Sequence, residues 1–147
     1  MKNKNTRTEK QQFVDRFNVL TRTRNTWTAW SDFIHVTACA ISNSVDISQF
    51  DIREERYKNI ICQYRPDEAG IFAELFAITV SALSNNPRQD FLGERLMVDL
   101  KLGNARTGQF YTPYNIGEFM AALQFTDHKT QQSEYITVND CCCGAGC

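Results

Sequence analysis

The chain has 147 residues, 42% of them hydrophobic and 22% charged, and its net charge is −1 at pH 7. This length fits one ordinary domain with its own hydrophobic core. The near-zero net charge excludes a general electrostatic attraction to nucleic acid or to an anionic membrane surface.

No stretch approaches the roughly 18 consecutive apolar residues that a membrane span needs, and the first 30 residues lack the apolar core of a signal peptide. We therefore predict a cytoplasmic protein without a membrane partner, whose thiols stay reduced.

Basic side chains are concentrated at the N-terminus. Residues 1–25 carry seven basic side chains against Glu9 and Asp15. Such an arm can contact phosphates, but a solvated polar lead-in to the first helix explains the same residues and is the interpretation we favour.

Apolar residues recur at helical spacing through most of the chain, which predicts five helices before residue 103, where this periodicity ends. The expected ranges are 8–20, 26–42 or 28–42, 51–64, 67–83 and 89–102. Pro66, Asp67 and Glu68 are typical of a helix start, and Gly103 is expected to cap the fifth helix.

Each predicted helix has an apolar stripe that we expect to face inward, and the fourth helix is expected at the centre of the bundle. The expected inward residues are Phe13, Phe17 and Leu20; Trp27, Trp30, Ile34, Ala38 and Ile41; Tyr57, Ile60, Ile61 and Tyr64; and Phe72, Leu75, Phe76, Thr79, Val80 and Leu83.

A polar loop over residues 103–109 precedes a sixth predicted helix, 113–125, with Ile116, Phe119, Met120 and Leu123 inward. Residues 135–138 are β-formers and predict a short strand that ends at Asn139 and Asp140. A single strand cannot be a finished sheet.

A glycine turn follows this predicted strand, in the sequence DCCCGAG from Asp140 to Gly146. Glycines allow a tight bend and a close approach of the backbone to a ligand. The pattern G-x-G alone is also found in ordinary turns, and neither a dinucleotide-binding motif nor a P-loop is completed.

Cysteine is frequent in this chain, but a zinc site is not favoured. No CxxC pair is present, and the consecutive Cys141, Cys142 and Cys143 cannot all reach one ion. Cys39 and Cys62 are expected to be small core residues, so we predict no metal ligand.

Thr112 and Pro113 favour the start of a helix, since proline suits the first helical position and threonine caps it. One interpretation of the dipeptide is a helix cap with no further role. The dipeptide can also receive a carboxylate at the exposed helix N-terminus, such as that of the methionine end of S-adenosylmethionine.

Taken together, GQFYTP (Gly108 to Pro113) and DCCCGAG resemble motifs of the amino-methyltransferases that methylate adenine N6 in DNA. The chain is similar in particular to the methylation subunits of type I restriction systems and to their phage and plasmid relatives. Close similarity covers residues 90–147, and earlier residues match only in helical character.

The resemblance implies a cofactor site for S-adenosylmethionine. Thr112 would bind the methionine carboxylate, Asp140 would face the cofactor's amino group, and Cys143 would pack without reacting. Phe110, Tyr111 and Pro113 would shape the wall, and Gly144, Ala145 and Gly146 would pass along the methionine and ribose. Cys141 replaces the proline usual after the acidic residue.

The family's catalytic tetrapeptide, Asn/Asp-Pro-Pro-Tyr/Phe, which holds the flipped adenine, is absent. Asn86–Pro87 is followed by Arg88 and Gln89, so we interpret it as a turn. We also expect structural roles for His35 and His128, and predict no catalytic residue.

The fold class implied is mainly α: a helical N-terminal region (1–105), then the first helix and strand of a Rossmann-like α/β methyltransferase domain (106–147). The chain would be an inactive fragment of a DNA adenine-N6 methyltransferase, with DNA and a specificity or restriction subunit as partners. The alternative is a non-enzymatic helical interaction module.

Overall fold

A computed structural model describes residues 7–97, 99–102, 112–125 and 139 of the chain. It divides the chain into two compact units, Met1–Pro87 and Arg88–Cys147. The helices are α1 (Glu9–Leu20), α2 (Thr26–Val45), α3 (Phe50–Ile61), α4 (Pro66–Asn85), a π-helix (Phe91–Met97) and α5 (Tyr114–Phe125).

The described residues are mainly α-helical, as predicted, but they contain no strand and no sheet. The Rossmann-like α/β part of the predicted fold class is therefore wrong. A strand is stable only beside other strands, and the described segments that could have paired with one are helices. The run predicted as a strand, residues 135–138, lies outside the described residues.

The N-termini of the first two helices are capped by side chains. The Thr8 hydroxyl accepts the Gln11 N–H at 3.3 Å, and the Gln11 side chain accepts the Thr8 N–H at 3.0 Å, which completes a capping box for α1. The Asn25 side-chain carbonyl accepts the Trp27 N–H at 2.9 Å at the start of α2. Helix α4 begins at Pro66, one residue before its predicted start at residue 67 and within the predicted helix-start sequence Pro66, Asp67 and Glu68.

The core of the first unit is aromatic and lies where α1, α2 and α4 meet. Phe13, Phe17 and Leu20 of α1 are completely buried, as their spacing predicted. Phe13 meets Phe33 of α2 edge to face, with ring centroids 5.4 Å apart, and Trp30 packs on Phe17 in the same way at 6.0 Å. Edge-to-face contacts add to the stabilisation that burial of the rings provides.

Helix α4 contacts both α1 and α2, and α2 contacts both α3 and α4, so α4 shares the central place that was predicted for it with α2. Phe72, Leu75 and Thr79 are buried as expected, whereas Val80 and Leu83 are exposed. The inward face of α4 is thus rotated slightly from the predicted one and takes in Glu68, Ile71 and Ala82 instead.

The predicted inward stripe of α2 is largely wrong. Only Trp30 of that stripe is buried, while Trp27, Ile34 and Ile41 are exposed, as is Ala38. The buried residues of α2 are instead Ala29, Trp30, Phe33, Val36 and Cys39. This helix is apolar on two sides, so hydrophobic periodicity alone cannot choose the side that packs.

Helix α3 ends at Ile61, three residues before the predicted end at Tyr64, and none of its residues is fully buried. Tyr64 lies in the turn after it and is buried, with its ring edge to face on Phe72 at 4.8 Å. Of the two cysteines expected in the core, Cys39 is buried, but Cys62 is exposed.

In the second unit, a π-helix over Phe91–Met97 replaces part of the α-helix predicted for residues 89–102. A π-helix bonds each residue to the fifth one on, so Phe91 and Leu96 share one side, and both are buried. Lys101 adopts the left-handed conformation, with φ of 55°, where a glycine is usual. Gly103, the predicted cap, lies outside the described residues.

Helix α5 begins within one residue of its predicted start. Its four apolar residues predicted to face inward, Ile116, Phe119, Met120 and Leu123, are all exposed, so that prediction is wrong. The chain divides after Pro87 by its contacts, and the domain boundary predicted at residues 105 and 106 stays a prediction.

Within the part of the chain that the structure describes, no helix combines the length and the apolar character required to cross a bilayer.

Candidate functional site: the start of helix α5

Thr112 and Pro113 lie directly before α5 and are both exposed. The Pro113 carbonyl accepts the N–H groups of Ile116 at 2.9 Å and of Gly117 at 3.1 Å. Pro113 therefore occupies the capping position, and the first helical residue is Tyr114 rather than Pro113. The predicted position of a helix start is confirmed to within one residue, but the predicted roles of Thr112 as the cap and Pro113 as the first helical residue are not.

The first turn of α5 has the electrostatic character that an anionic group requires. A helix of 12 residues concentrates partial positive charge at its N-terminus, where backbone N–H groups point outward. A Cβ built on Gly117 would meet no atom within 4 Å. Among the described residues, no atom therefore fills the side of the first turn at Gly117.

Glu118, in the second turn of α5, has its charge compensated by an arginine. The Arg88 guanidinium donates to Glu118 Oε1 through Nε at 2.9 Å and through a terminal nitrogen as well. This contact with Glu118 raises the pKa of Arg88 above its ordinary value. The pair also connects α5 to the beginning of the second unit.

The remaining residues predicted for the cofactor site lie outside the described residues: Phe110, Tyr111, Asp140, Cys143, Gly144, Ala145 and Gly146. The structure therefore brings together Thr112, Pro113 and the first turn of α5. It leaves the meeting of this turn with the glycine turn as a prediction.

Asn86 and His35 both lie in the described part of the chain. Asn86 is the C-cap of α4, with its N–H on the Ala82 carbonyl at 3.0 Å, so its interpretation as a turn residue is confirmed. His35 is exposed, with Nδ1 2.7 Å from the Ser31 carbonyl, and His128 lies outside the described residues. Among the described residues, no three His, Cys, Asp or Glu side chains are grouped to hold a metal.

The basic N-terminal arm is partly neutralised where it is described. Arg7 pairs with Asp15 at 2.8 Å, and Arg16 pairs with Glu74 of α4. Both contacts are exposed, in agreement with a solvated lead-in to α1, and Lys2 and Lys4 lie outside the described residues.

A polar cluster joins two turns of the first unit, and no sequence pattern indicated it. The buried Glu68 carboxylate accepts the Thr23 hydroxyl at 3.0 Å and the Arg65 N–H at 3.2 Å. Tyr64 donates to Asp32 at 2.6 Å, and Arg24 lies 4.2 Å above the Tyr64 ring. Most of these partners are distant in sequence, so no local motif could have revealed them.

Burial is the main cause that raises the pKa of Tyr64 far above its ordinary value, and the hydrogen bond to Asp32 adds to it. Tyr64 is thus a neutral hydrogen-bond donor at any physiological pH. Such a tyrosine holds α2 to the turn before α4 and is not suited to act as a base.

A surface groove of about 510 Å³ was also missed. It lies along the N-terminal half of α2 and is lined by Trp27, Thr28, Trp30, Ser31, Asp32, Ile34 and His35. The signal that could have found it was present, since the apolar residues of α2 fit two helix faces rather than one.

Comparison of the chain with protein-family models, with curated proteins and with solved structures found no match.

Proposed function

We propose that this chain belongs to an S-adenosylmethionine-dependent DNA adenine-N6 methyltransferase and supplies part of the wall of its cofactor site. The observation that carries the proposal is the exposed helix start at Thr112 and Pro113, within GQFYTP. The resemblance of GQFYTP and DCCCGAG to the motifs of these enzymes supports the same function.

In this proposal the α-carboxylate of the cofactor binds at the first turn of α5. The Thr112 hydroxyl donates a hydrogen bond to one carboxylate oxygen, and the helix dipole stabilises the negative charge. The pairing of Arg88 with Glu118 removes the repulsion that an uncompensated Glu118 would exert. The glycine turn at residues 144–146 would contact the methionine and ribose.

The catalytic tetrapeptide that holds the extruded adenine does not occur in the chain, and in this proposal another segment or subunit supplies it. We therefore expect no transfer of tritium-labelled methyl groups to adenine-containing duplex DNA by the purified chain. Methylation of adenine by the chain alone would contradict this assignment of roles.

A titration followed by NMR tests the cofactor site. On addition of S-adenosylmethionine to millimolar concentration, we expect shifts of the backbone amides of Tyr114, Asn115 and Ile116. Incomplete sites bind weakly, and a Kd of about 1 mM corresponds to only about 4 kcal/mol. Thr112→Val removes the hydroxyl while keeping the shape, and it should reduce these shifts.

Thr28→Val is the matched control, because Thr28 is an exposed threonine of α2 in the other unit. It should leave the shifts of α5 unchanged. Unperturbed α5 amides in the unmodified chain would contradict the cofactor site, and so would equal shifts in the chain carrying Thr112→Val.

A non-enzymatic helical interaction module is the second candidate. Exposed apolar side chains along α2 and α5 favour it, since large exposed apolar surfaces are typical of sites that bind other proteins. An unchanged NMR spectrum with the cofactor, together with association through one of these helices, would favour the module over the enzyme.

A further inference from the structure

The outer face of α2 is an apolar surface that runs along the whole helix. Trp27 is 56% exposed, Ile34 37%, Ile41 48% and Val45 82%. Ala38 and Ser31 lie between them and are exposed too. At 100° per residue these six positions fall on one face of the helix, which we call the outer face of α2.

The outer face is almost free of charge. Between Thr26 and Val45 there is no Glu, Lys or Arg, and the single Asp is Asp32, which lies away from the outer face and accepts the Tyr64 hydroxyl. Coiled-coil partners are usually selected by charged residues that flank an apolar seam. No such selection against an identical chain exists along α2, so nothing in this helix opposes self-association.

We propose that the outer face of α2 binds the same face of a second copy of this chain, with the two helices antiparallel. A symmetric pair of this kind requires a surface complementary to itself. The order of residue sizes along α2 meets this requirement when the two-fold axis lies at the level of Val36.

Large residues then oppose small ones. Ile34 lies against Ala38 of the second copy, Ile41 lies against Ser31, and Trp27 at one end lies against Val45 at the other. Alternation of large and small side chains is what lets two packed surfaces interdigitate. A parallel pair would instead set Trp27 against Trp27 and Ala38 against Ala38.

The size of the surface fits a weak dimer. With the exposed fractions above, the six residues would bury on the order of 500 Å² per copy, or about 1,000 Å² in total, which is the lower limit for a specific interface. We expect a Kd on the order of 10–100 µM. The proposal is independent of the function proposed for α5, which lies in the other unit.

Sedimentation equilibrium of the full chain under reducing conditions, from micromolar to near-millimolar concentration, tests the proposal. We expect reversible dimerisation that Ile41→Glu weakens at least tenfold. Leu123→Glu is the matched control, because it places the same charge on an exposed apolar position of α5, and it should leave the Kd unchanged. Circular dichroism establishes that each variant is folded.

Two further substitutions decide the direction of pairing. Trp27→Lys and Val45→Glu should each weaken the dimer. The two together should restore it to within a few-fold of the original Kd, since the introduced lysine of one copy would then face the introduced glutamate of the other. A chain that stays monomeric throughout overturns the proposal. So does a dimer that Ile41→Glu leaves intact, or a doubly substituted chain that associates more weakly than either single variant.

Discussion

Asp46 shows how one side chain can fix the connection between two helices. It lies between α2 and α3, where its carboxylate accepts the Ser48 N–H at 2.9 Å and pairs with Arg53. Arg53 also donates to the Asp46 carbonyl at 2.7 Å. Hydrogen bonds from Ser48 first, and from Arg53 next, hold the pKa of Asp46 well below its ordinary value.

A consequence is an acid-dependent loss of stability. A carboxyl group whose pKa is lowered by folding stabilises the native state above its unfolded pKa of about 3.9, and this contribution is lost as the pH falls towards the folded value. Asp46→Asn should therefore lower the free energy of unfolding at pH 6 by more than it does at pH 2.5.

Urea denaturation at the two pH values measures this difference. Glu55→Gln, at an exposed position on α3, serves as the matched control, and its effect should vary less between the two pH values. An equal cost of Asp46→Asn at both pH values would contradict the role assigned to the carboxylate.

At the level of single residues, the sequence predicted burial well where one helix face is clearly apolar. Phe13, Phe17 and Leu20 are the aligned large apolar residues of a polar helix, and all three are buried. The sequence predicted burial wrongly for Trp27 and Ile34, because α2 is apolar on two faces. Only the packing partner decides between two such faces, and the partner is remote in sequence.

The helices themselves are fixed at their ends by short-range interactions. Asn25 and Thr8 both accept hydrogen bonds from the first turn of the helix that follows them. Residues of this kind satisfy N–H groups that the helix cannot pair itself. These signals are local, so helix starts were the part of the fold best predicted from the sequence.

Asn25→Ala should lower the free energy of unfolding by about 1 kcal/mol, because the Trp27 N–H loses its acceptor. Thermal or urea denaturation followed by circular dichroism measures the change. Thr28→Ala, an exposed change within the same first turn, should cost less. Equal costs for the two substitutions would show that the cap contributes nothing particular.

The π-helix is an element that local patterns could not predict. Phe91, Leu92 and Leu96 fit the apolar side of an ordinary α-helix almost as well, and no sequence rule marks the wider turn. Its selection depends on the burial of Phe91 and Leu96 together, which is a property of the folded unit.

For the molecule as a whole, the division after Pro87 predicts that the first unit folds by itself. Its buried aromatic and aliphatic residues come mainly from α1, α2 and α4, which all precede the division. A chain of residues 1–87 should therefore give a dispersed NMR spectrum and a single cooperative urea transition. A chain of residues 1–61, which lacks α4, should not fold and serves as the control. A non-cooperative transition for residues 1–87 would mean that the second unit is needed to complete the core.

The candidate site could be predicted only in part for a similar reason. Pro113 and Thr112 identify a helix start from the sequence alone, because proline restricts the backbone locally. Whether residues 140–146 approach that start depends on chain topology, which no local pattern encodes. The ion pair between Arg88 and Glu118, which are 30 residues apart, could not be predicted from the sequence for the same reason.

The carboxylate of Glu68 links two turns of the first unit through hydrogen bonds, namely the turn after α1 and the turn before α4. Thr23 belongs to one turn and Arg65 to the other. Opening either turn therefore removes a hydrogen-bond donor from the buried Glu68 carboxylate, which is unfavourable. Transient opening of these turns is therefore concerted, and their amide protons should exchange with solvent deuterium as one cooperative group rather than fray independently.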